Sequence, residues 1–373
     1  MSETNAYIVP ELHESFLLNN KSFNETTLET YAHHLIRIGE DYQKEIGDFL
    51  LDWLDDEPFI LVNTSGSTGV PKTIKVRKEH MINSAKATGK FFKTPISSSA
   101  LLCLSAGYIA GKMMLVRAMV LGWKLDVVVP KSNPLDEVYK QYDFCAMVPM
   151  QLDNSINRLH LVKKLLIGGG AISEHLIALV QGVDTKIYET YGMTETVSHI
   201  AARRVNSKKK PISECFFKTL PQVVISTDDR NCLVIKAPLL CDDMLTTNDI
   251  VDLITYKKFV WKGRFDNVIN SGGIKLFPEQ IEKKLQLAIR QRFFVSSIPD
   301  DILGNRLILI IENITKTISA EAYLNKIALV KDIGKYEIPK EVYFLNQFIE
   351  TATGKVHRLK NKEQALKTKA YSI

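Results

Sequence analysis

Two kinds of apolar pattern divide the chain. Within residues 1–57, Leu28, Tyr31, Leu35, Ile36 and Ile38 recur near a helical period, and Phe49, Leu50, Trp53 and Leu54 continue it, so this stretch is expected to be helical. From Phe59 the pattern shortens. Residues 59–62 form an apolar run of strand length, residues 64–72 are rich in Ser, Thr and Gly, and residues 73–76 read as a second strand. Further runs at 101–104, 125–129, 146–148 and 165–167 are separated by helix-like stretches, and 223–226 and 233–236 add strands. Short apolar strands alternating with helices predict a layered α/β domain.

The texture changes near 261–273. WKGRFDNVINSGGIKLFPEQIEKKL reads as strand, turn, glycine loop and then a helix opening at Pro278, where a missing N–H costs nothing and Glu279 follows in the first turn. Beyond it, short strands and helices alternate as in a compact α+β unit. The chain has 373 residues, more than one hydrophobic core usually serves. Two domains are therefore expected, a large layered α/β domain over 1–264 and a small α+β domain over 265–373.

Composition narrows the class. Apolar residues at 45% and charged residues at 24% exclude a disordered chain, a collagen-like chain and a small disulfide scaffold. The net charge of +6 suits anionic small molecules, and no fold motif for nucleic acid accompanies it. The start MSETNAYIVPELHESF has no apolar core of a secretory signal, and the longest apolar run, near 113–123, is interrupted by Arg117, so neither export nor a membrane span is expected. Five scattered cysteines without a CxxC pair predict reduced thiols in a cytoplasmic protein, in which homo-oligomers remain possible. No HExxH or zinc-ligand spacing occurs, which leaves only a metal bound through phosphates.

The most informative stretch is Thr64, Ser65, Gly66, Ser67, Thr68, Gly69, Val70, Pro71 and Lys72. Glycines let backbone N–H groups turn toward an anion, hydroxyls add donors and lysine adds charge. On composition the segment is either a phosphate cradle or a flexible surface loop, and it is not the common P-loop, which has Gly directly before Lys. Its order resembles the phosphate-binding signature of the adenylate-forming acyl- and aryl-CoA ligases. The resemblance continues in order through Tyr191-Gly192-Met193-Thr194-Glu195, Thr247-Asn248-Asp249, Gly263-Arg264-Phe265-Asp266 and Thr353-Gly354-Lys355-Val356-His357-Arg358.

That resemblance implies an adenylate-forming fold with a mobile small domain, ATP, Mg²⁺ and CoA as reactants, and a role for each matched residue. Thr64–Lys72 would hold the β- and γ-phosphates. Thr194 would bind the α-phosphate, and Glu195 the Mg²⁺. Tyr191, Gly192, Gly169 and Gly170 would meet the adenine, although Tyr191 also reads as a core residue and Gly168-Gly169-Gly170 as a plain turn. Asp249 and Arg264 would contact the ribose, with Asn248 standing where the family has Gly. Lys355 would be the catalytic lysine, Asp266 the hinge, and Ser271, Gly272 and Gly273 the CoA route.

Few residues precede Thr64 compared with the family's usual chains. That shortness, the extension Thr196-Val197-Ser198-His199-Ile200-Ala201 and the run from Tyr108 to Arg117 resemble the o-succinylbenzoate–CoA ligases of menaquinone synthesis. Tyr108 stands where this motif often has His. The implied substrate carries two carboxylates, of which the aromatic one needs a donor or cationic partner beside apolar walls. Tyr108, Gly111, Lys112, Arg117, Gly168, Ser198 and His199 are the candidates. Lys112 and Arg117 lie in an apolar segment and either serve the pocket or pair structurally; His199 is either a donor or a satisfied structural histidine. Another aryl or acyl acid, or a carrier protein in place of CoA, are the alternative readings.

Overall fold

The computed structural model describes residues 12–63, 73–207, 216–286, 288–313, 320–330, 332–350 and 356–372. The expected N-terminal helices are α1 (Glu25–Ile38) and α2 (Asp41–Leu54). Asn24 caps α1 by accepting from Thr27 N at 2.9 Å, while Thr27 Oγ1 accepts from Asn24 N at 2.9 Å, a reciprocal capping box. The pair crosses at Gly47, where a Cβ would lie 2.7 Å from Ala32 O, so only glycine fits. The helical reading of 1–57 fails between these helices and residue 12. Residues Leu17–Leu18 (β1) and Lys21–Ser22 (β2) are short strands. Two-residue strands carry no period of their own and form only by pairing with the sheet.

The remaining strands of the N-terminal part include eight that overlap the apolar runs read from sequence, and others, between 186 and 219 and over 245–255, that no run announced. They are β3 (Phe59–Asn63), β4 (Thr73–Arg77), β5 (Ser99–Leu102), β6 (Lys124–Val127), β7 (Tyr142–Met147), β8 (Val162–Ile167), β9 (Lys186–Gly192), β10 (His199–Arg204), β11 (Phe217–Thr219), β12 (Val224–Thr227), β13 (Cys232–Lys236), β14 (Leu245–Thr255) and β15 (Lys258–Arg264). Strands β3 and β4 form a separate antiparallel hairpin that pairs Asn63 with Thr73. The others, with β1 and β2, make one sheet in the order β12-β13-β14-β15-β11-β10-β9-β8-β7-β5-β6-β1-β2. From β9 to β1 the strands are parallel; from β9 to β12 each neighbour is antiparallel.

The two faces of β5 enter different cores. Ala100 and Leu102 join the cluster that includes α1 and α2, while Leu101 and Cys103 join a second cluster with Leu152, Leu165 and Leu176. This period-two alternation with both faces covered is what a buried parallel sheet requires. Helices α3 (Lys78–Phe92) and α4 (Ile109–Leu121) lie on the first face, and α4 is buried from Gly111 through Met119.

After Arg264 the hairpin β16 (Ile269–Ser271) and β17 (Ile274–Leu276) turns on Gly272 and Gly273, both at positive φ, as a tight hairpin requires. Helix α5 (Pro278–Leu285) opens at Pro278 as expected. A four-stranded sheet follows, of β18 (Phe293–Asp300), β19 (Gly304–Glu312), β20 (Glu341–Leu345) and β21 (Tyr371–Ser372), with its own clusters on both faces. Gln280 Nε2 donates to Lys262 O at 2.7 Å and Lys283 pairs with Glu174 at 3.1 Å, joining the later elements to the larger sheet.

Candidate active site

A cavity of about 520 Å³ opens where β7, β8 and β9 end. Carboxyl ends of parallel strands collect ligands because chain leaves the sheet there and exposes backbone groups. Ala146, Met147 and Val148 finish β7, Gly168 and Gly169 follow β8, and Thr190 and Gly192 close β9. Ser105 and Tyr108 enter from the segment before α4, and Arg117 from α4 itself. Gly168 allows close approach here, since a Cβ would stand 3.0 Å from Thr190 Oγ1, and Gly169 has φ of +79°. Of the glycine triplet, Gly170 is not part of the wall.

Arg117 is 3% exposed. Its Nη2 donates to Ser198 Oγ at 2.8 Å and its Nε to Thr88 Oγ1 at 3.4 Å. No carboxylate among the described residues pairs with it, and burial alone pushes its pKa down to about 10, so it remains charged at neutral pH. Ser198 and His199 stand beside it on the cavity wall. His199 is 7% exposed, and burial together with the Arg117 charge holds its imidazole well below the usual range.

The sequence treated Lys112 as equal to Arg117, and the structure separates them. Five residues along a helix amount to about 140° of rotation, so the two cannot share a face. Lys112 Nζ lies 4.9 Å from the Phe49 ring, over α2, and outside the cavity wall. Its pKa is lowered by burial and partly restored by Asp52 and Glu45. Gly111 is likewise a packing residue, since a Cβ there would fall 2.1 Å from Ser105 O.

A second cluster gathers three of the nucleotide candidates. Tyr191 Oη donates to Asp249 Oδ2 at 2.6 Å, Trp261 Nε1 donates to Asp249 Oδ1 at 3.1 Å, and Arg264 Nη1 lies 3.9 Å from Oδ1. The Tyr191 ring packs against Phe259 and Phe217 at 5.2 and 5.9 Å, and burial and the Asp249 charge push its phenol well up. Asp266 accepts from Arg264 at 3.0 Å and from Asn248 at 3.3 Å. Ser271, Gly272 and Gly273 form the β16–β17 turn, outside the cavity wall.

Thr194 lines the cavity, and Glu195 is exposed in the turn Thr194–Thr196. No group of three or more His, Cys, Asp or Glu that could hold a metal occurs among the described residues. A single free carboxylate fits a hard cation that keeps phosphate oxygens as its other ligands. Residues 64–72 and Lys355 lie outside the described residues.

Sequence reading missed Val197, which lines the cavity at φ +66° despite a β-branched side chain. Thr196 holds it there, its Oγ1 donating toward Ser198 O at 2.9 Å. Such backbone strain gathers at functional sites. It also missed Glu45, whose Oε2 accepts from Ser105 Oγ at 2.5 Å and Gly107 N at 3.2 Å and fixes the loop before α4.

A family model described as AMP-binding enzyme matches residues 20–226. The chain belongs to the AMP-binding enzyme family. This AMP-binding enzyme is 25% identical over 328 residues to a 2-succinylbenzoate–CoA ligase of Lactococcus lactis, a match covering 82% of this chain and 71% of the relative. It is 23% identical over 357 residues to that of Enterococcus faecalis, with 82% and 69% covered. Among solved structures, an acyl-CoA synthetase (AMP-forming)/AMP-acid ligase II-like protein from Dyadobacter fermentans is 36% identical with a TM-score of 0.59, over 90% of this chain and 98% of that one. The o-succinylbenzoate CoA synthetase of Bacillus subtilis in complex with ATP and magnesium ion shares the fold at a TM-score of 0.70 and 20% identity, over 93% and 83% of the two chains. The AMP-binding enzyme thus has the adenylate-forming α/β fold expected from its motifs.

Proposed function

We propose that this AMP-binding enzyme is an ATP-dependent acid–CoA ligase that converts 2-succinylbenzoate, ATP and CoA to 2-succinylbenzoyl-CoA, AMP and diphosphate, a step of menaquinone synthesis. The observation that carries the substrate is Arg117, a buried cation that has no carboxylate partner among the described residues and faces a cavity with apolar walls. An isolated buried charge is costly, and an anionic substrate group relieves that cost. The relatives named 2-succinylbenzoate–CoA ligase support the same reading.

In the first half-reaction a succinyl carboxylate oxygen attacks the α-phosphorus of ATP, and the bond to diphosphate breaks. In the second, the CoA sulfur attacks the acyl carbon and AMP leaves. Positioning and charge neutralisation dominate such displacements. We assign residues 64–72 to the β- and γ-phosphates, Thr194 to the α-phosphate, Asp249 and Arg264 to the ribose, and Lys355 to the charge that develops in adenylation. Glu195 would hold Mg²⁺, which supplies charge neutralisation on the phosphates when bound. The division into 1–264 and 265–373, with Asp266 at the hinge and Ser271–Gly273 on the CoA route, belongs to the same proposal.

The experiment is diphosphate release with CoA over a panel of acids. 2-Succinylbenzoate is expected to be the preferred substrate, and 4-oxo-4-phenylbutanoate, which lacks the ring carboxylate, a poor one. Arg117→Ala should raise KM for 2-succinylbenzoate by about thirtyfold or more, the effect of leaving a charge pair broken, with KM for ATP little changed. Equal turnover of the two acids by the wild type would reassign the substrate.

A further inference from the structure

We propose that His199 is held as its Nε2–H tautomer and donates that hydrogen to an oxygen of the acid substrate, which makes it a recognition residue of the ligase proposed above. Hydrogen-bond accounting leads there. Arg117 has only donors, so Ser198 Oγ accepts from Nη2 at 2.8 Å. The same hydroxyl lies 3.3 Å from His199 Nδ1. If Nδ1 accepts, the Ser198 proton is satisfied and one group is left over, the Nε2–H. If Nδ1 carries the proton, two groups are left over, the Ser198 proton and the Nε2 lone pair. The first arrangement leaves fewer unmade bonds, and unmade buried bonds are the expensive ones.

The structure shows the nitrogen that would carry this leftover hydrogen. His199 Nε2 is buried and has no partner among the described residues, although the residue lines the cavity. Its one ring contact among the described residues is Phe92, with centroids 5.9 Å apart, and an aromatic neighbour does not satisfy a donor. Burial and the adjacent guanidinium also keep the ring neutral, so it offers one N–H and no charge. Arg117, Ser198 and His199 then form a polarised chain in which each N–H or O–H points the same way along the sequence of groups. Its far end presents a donor that selects an acceptor, a ketone or carboxylate oxygen, and rejects an apolar or donor group at the same place.

The test has two arms. Nitrogen-15 spectra of histidine-labelled, full-length protein report the tautomer directly, without any turnover. The expected result is protonated Nε2 and bare Nδ1, with the Nε2–H signal moving on titration with benzoate as the carboxylate probe. In kinetics, His199→Phe removes both nitrogens, whereas His199→Gln places an amide N–H near the position of Nε2. His199→Phe is expected to raise KM for 2-succinylbenzoate about tenfold or more, the effect of a lost bond to a charged acceptor, and His199→Gln to recover most of it, with KM for ATP unmoved in both. A protonated Nδ1, a resonance indifferent to benzoate, or Gln and Phe variants that behave alike would overturn the proposal. If the wild type fails to turn over 2-succinylbenzoate, the ligase assignment falls, and the tautomer and benzoate titration still decide the role of His199.

Discussion

Arg117, Ser198 and His199 come from two elements, α4 and the start of β10, and meet on one wall. Arg117 was visible in sequence as a charge inside an apolar stretch, and Ser198 and His199 as polar residues in the extension that follows Tyr191–Glu195. Their difference from Lys112 was not visible, because composition does not say which side of a wholly buried helix faces a cavity. The lone imidazole has a pH signature. His199 stays neutral in the folded protein, whereas in the unfolded chain it takes up a proton near its ordinary value of 6.5. Its contribution is therefore complete above about pH 6.5 and is lost as pH falls below it, since the unfolded state then binds more protons. His80 has a lowered pKa as well, from burial, so the informative quantity is a difference. The thermal midpoint of wild type should fall more steeply than that of His199→Gln between about pH 6.5 and 5. Parallel curves would show that the ring protonates freely.

At the scale of elements, strands were read from apolar runs, and each of those runs overlaps a strand. The failures were β1 and β2, too short to carry a period, the strands β9, β10, β11 and β14, which no apolar run marked, and the role of α2. That helix reads as an ordinary amphipathic helix, yet Glu45 reaches from it to fix the loop that enters the cavity. Tethers of this kind depend on what packs opposite, which a single sequence does not display. The first turn of α4 is packed with equal closeness. Gly111→Ala would drive a Cβ into the Ser105 carbonyl, a rigid backbone group. We expect a loss of about 2–3 kcal/mol in denaturant unfolding, the upper part of the range for overpacking, because a backbone carbonyl cannot readily shift. A loss under half of that would show that the loop before α4 yields.

At the scale of the whole molecule, the chain carries a 13-stranded sheet and a four-stranded sheet on either side of Arg264–Asp266. The boundary proposed there rests on the change of texture near residue 261, where apolar runs of buried strands give way to shorter mixed ones. The glycine-rich segment and Lys355 were legible as motifs only, and their geometry lies outside the described residues. Arg230 stacks on Phe265 at 5.0 Å and bonds Asn248, which bonds Asp266 in turn, so side chains of the larger sheet hold the junction. On the proposed division of labour, Lys355→Ala should nearly abolish adenylation, read as diphosphate release, and spare thioester formation from preformed acyl-adenylate. Equal loss in the two half-reactions would refute a role confined to the first.

The Trp261–Asp249 hydrogen bond has an optical consequence. The chain has three tryptophans, and Trp53 and Trp123 are fully buried in the apolar core. Trp261 alone donates to a carboxylate assigned to the nucleotide. Ribose hydroxyls arriving at Asp249 would compete for the same oxygen and alter the field around the indole. ATP should therefore change the intrinsic emission in proportion to occupancy, and Trp261→Phe should silence that change while leaving the emission of the two core indoles. The protein would then report its own nucleotide binding, without a label and before any bond is made.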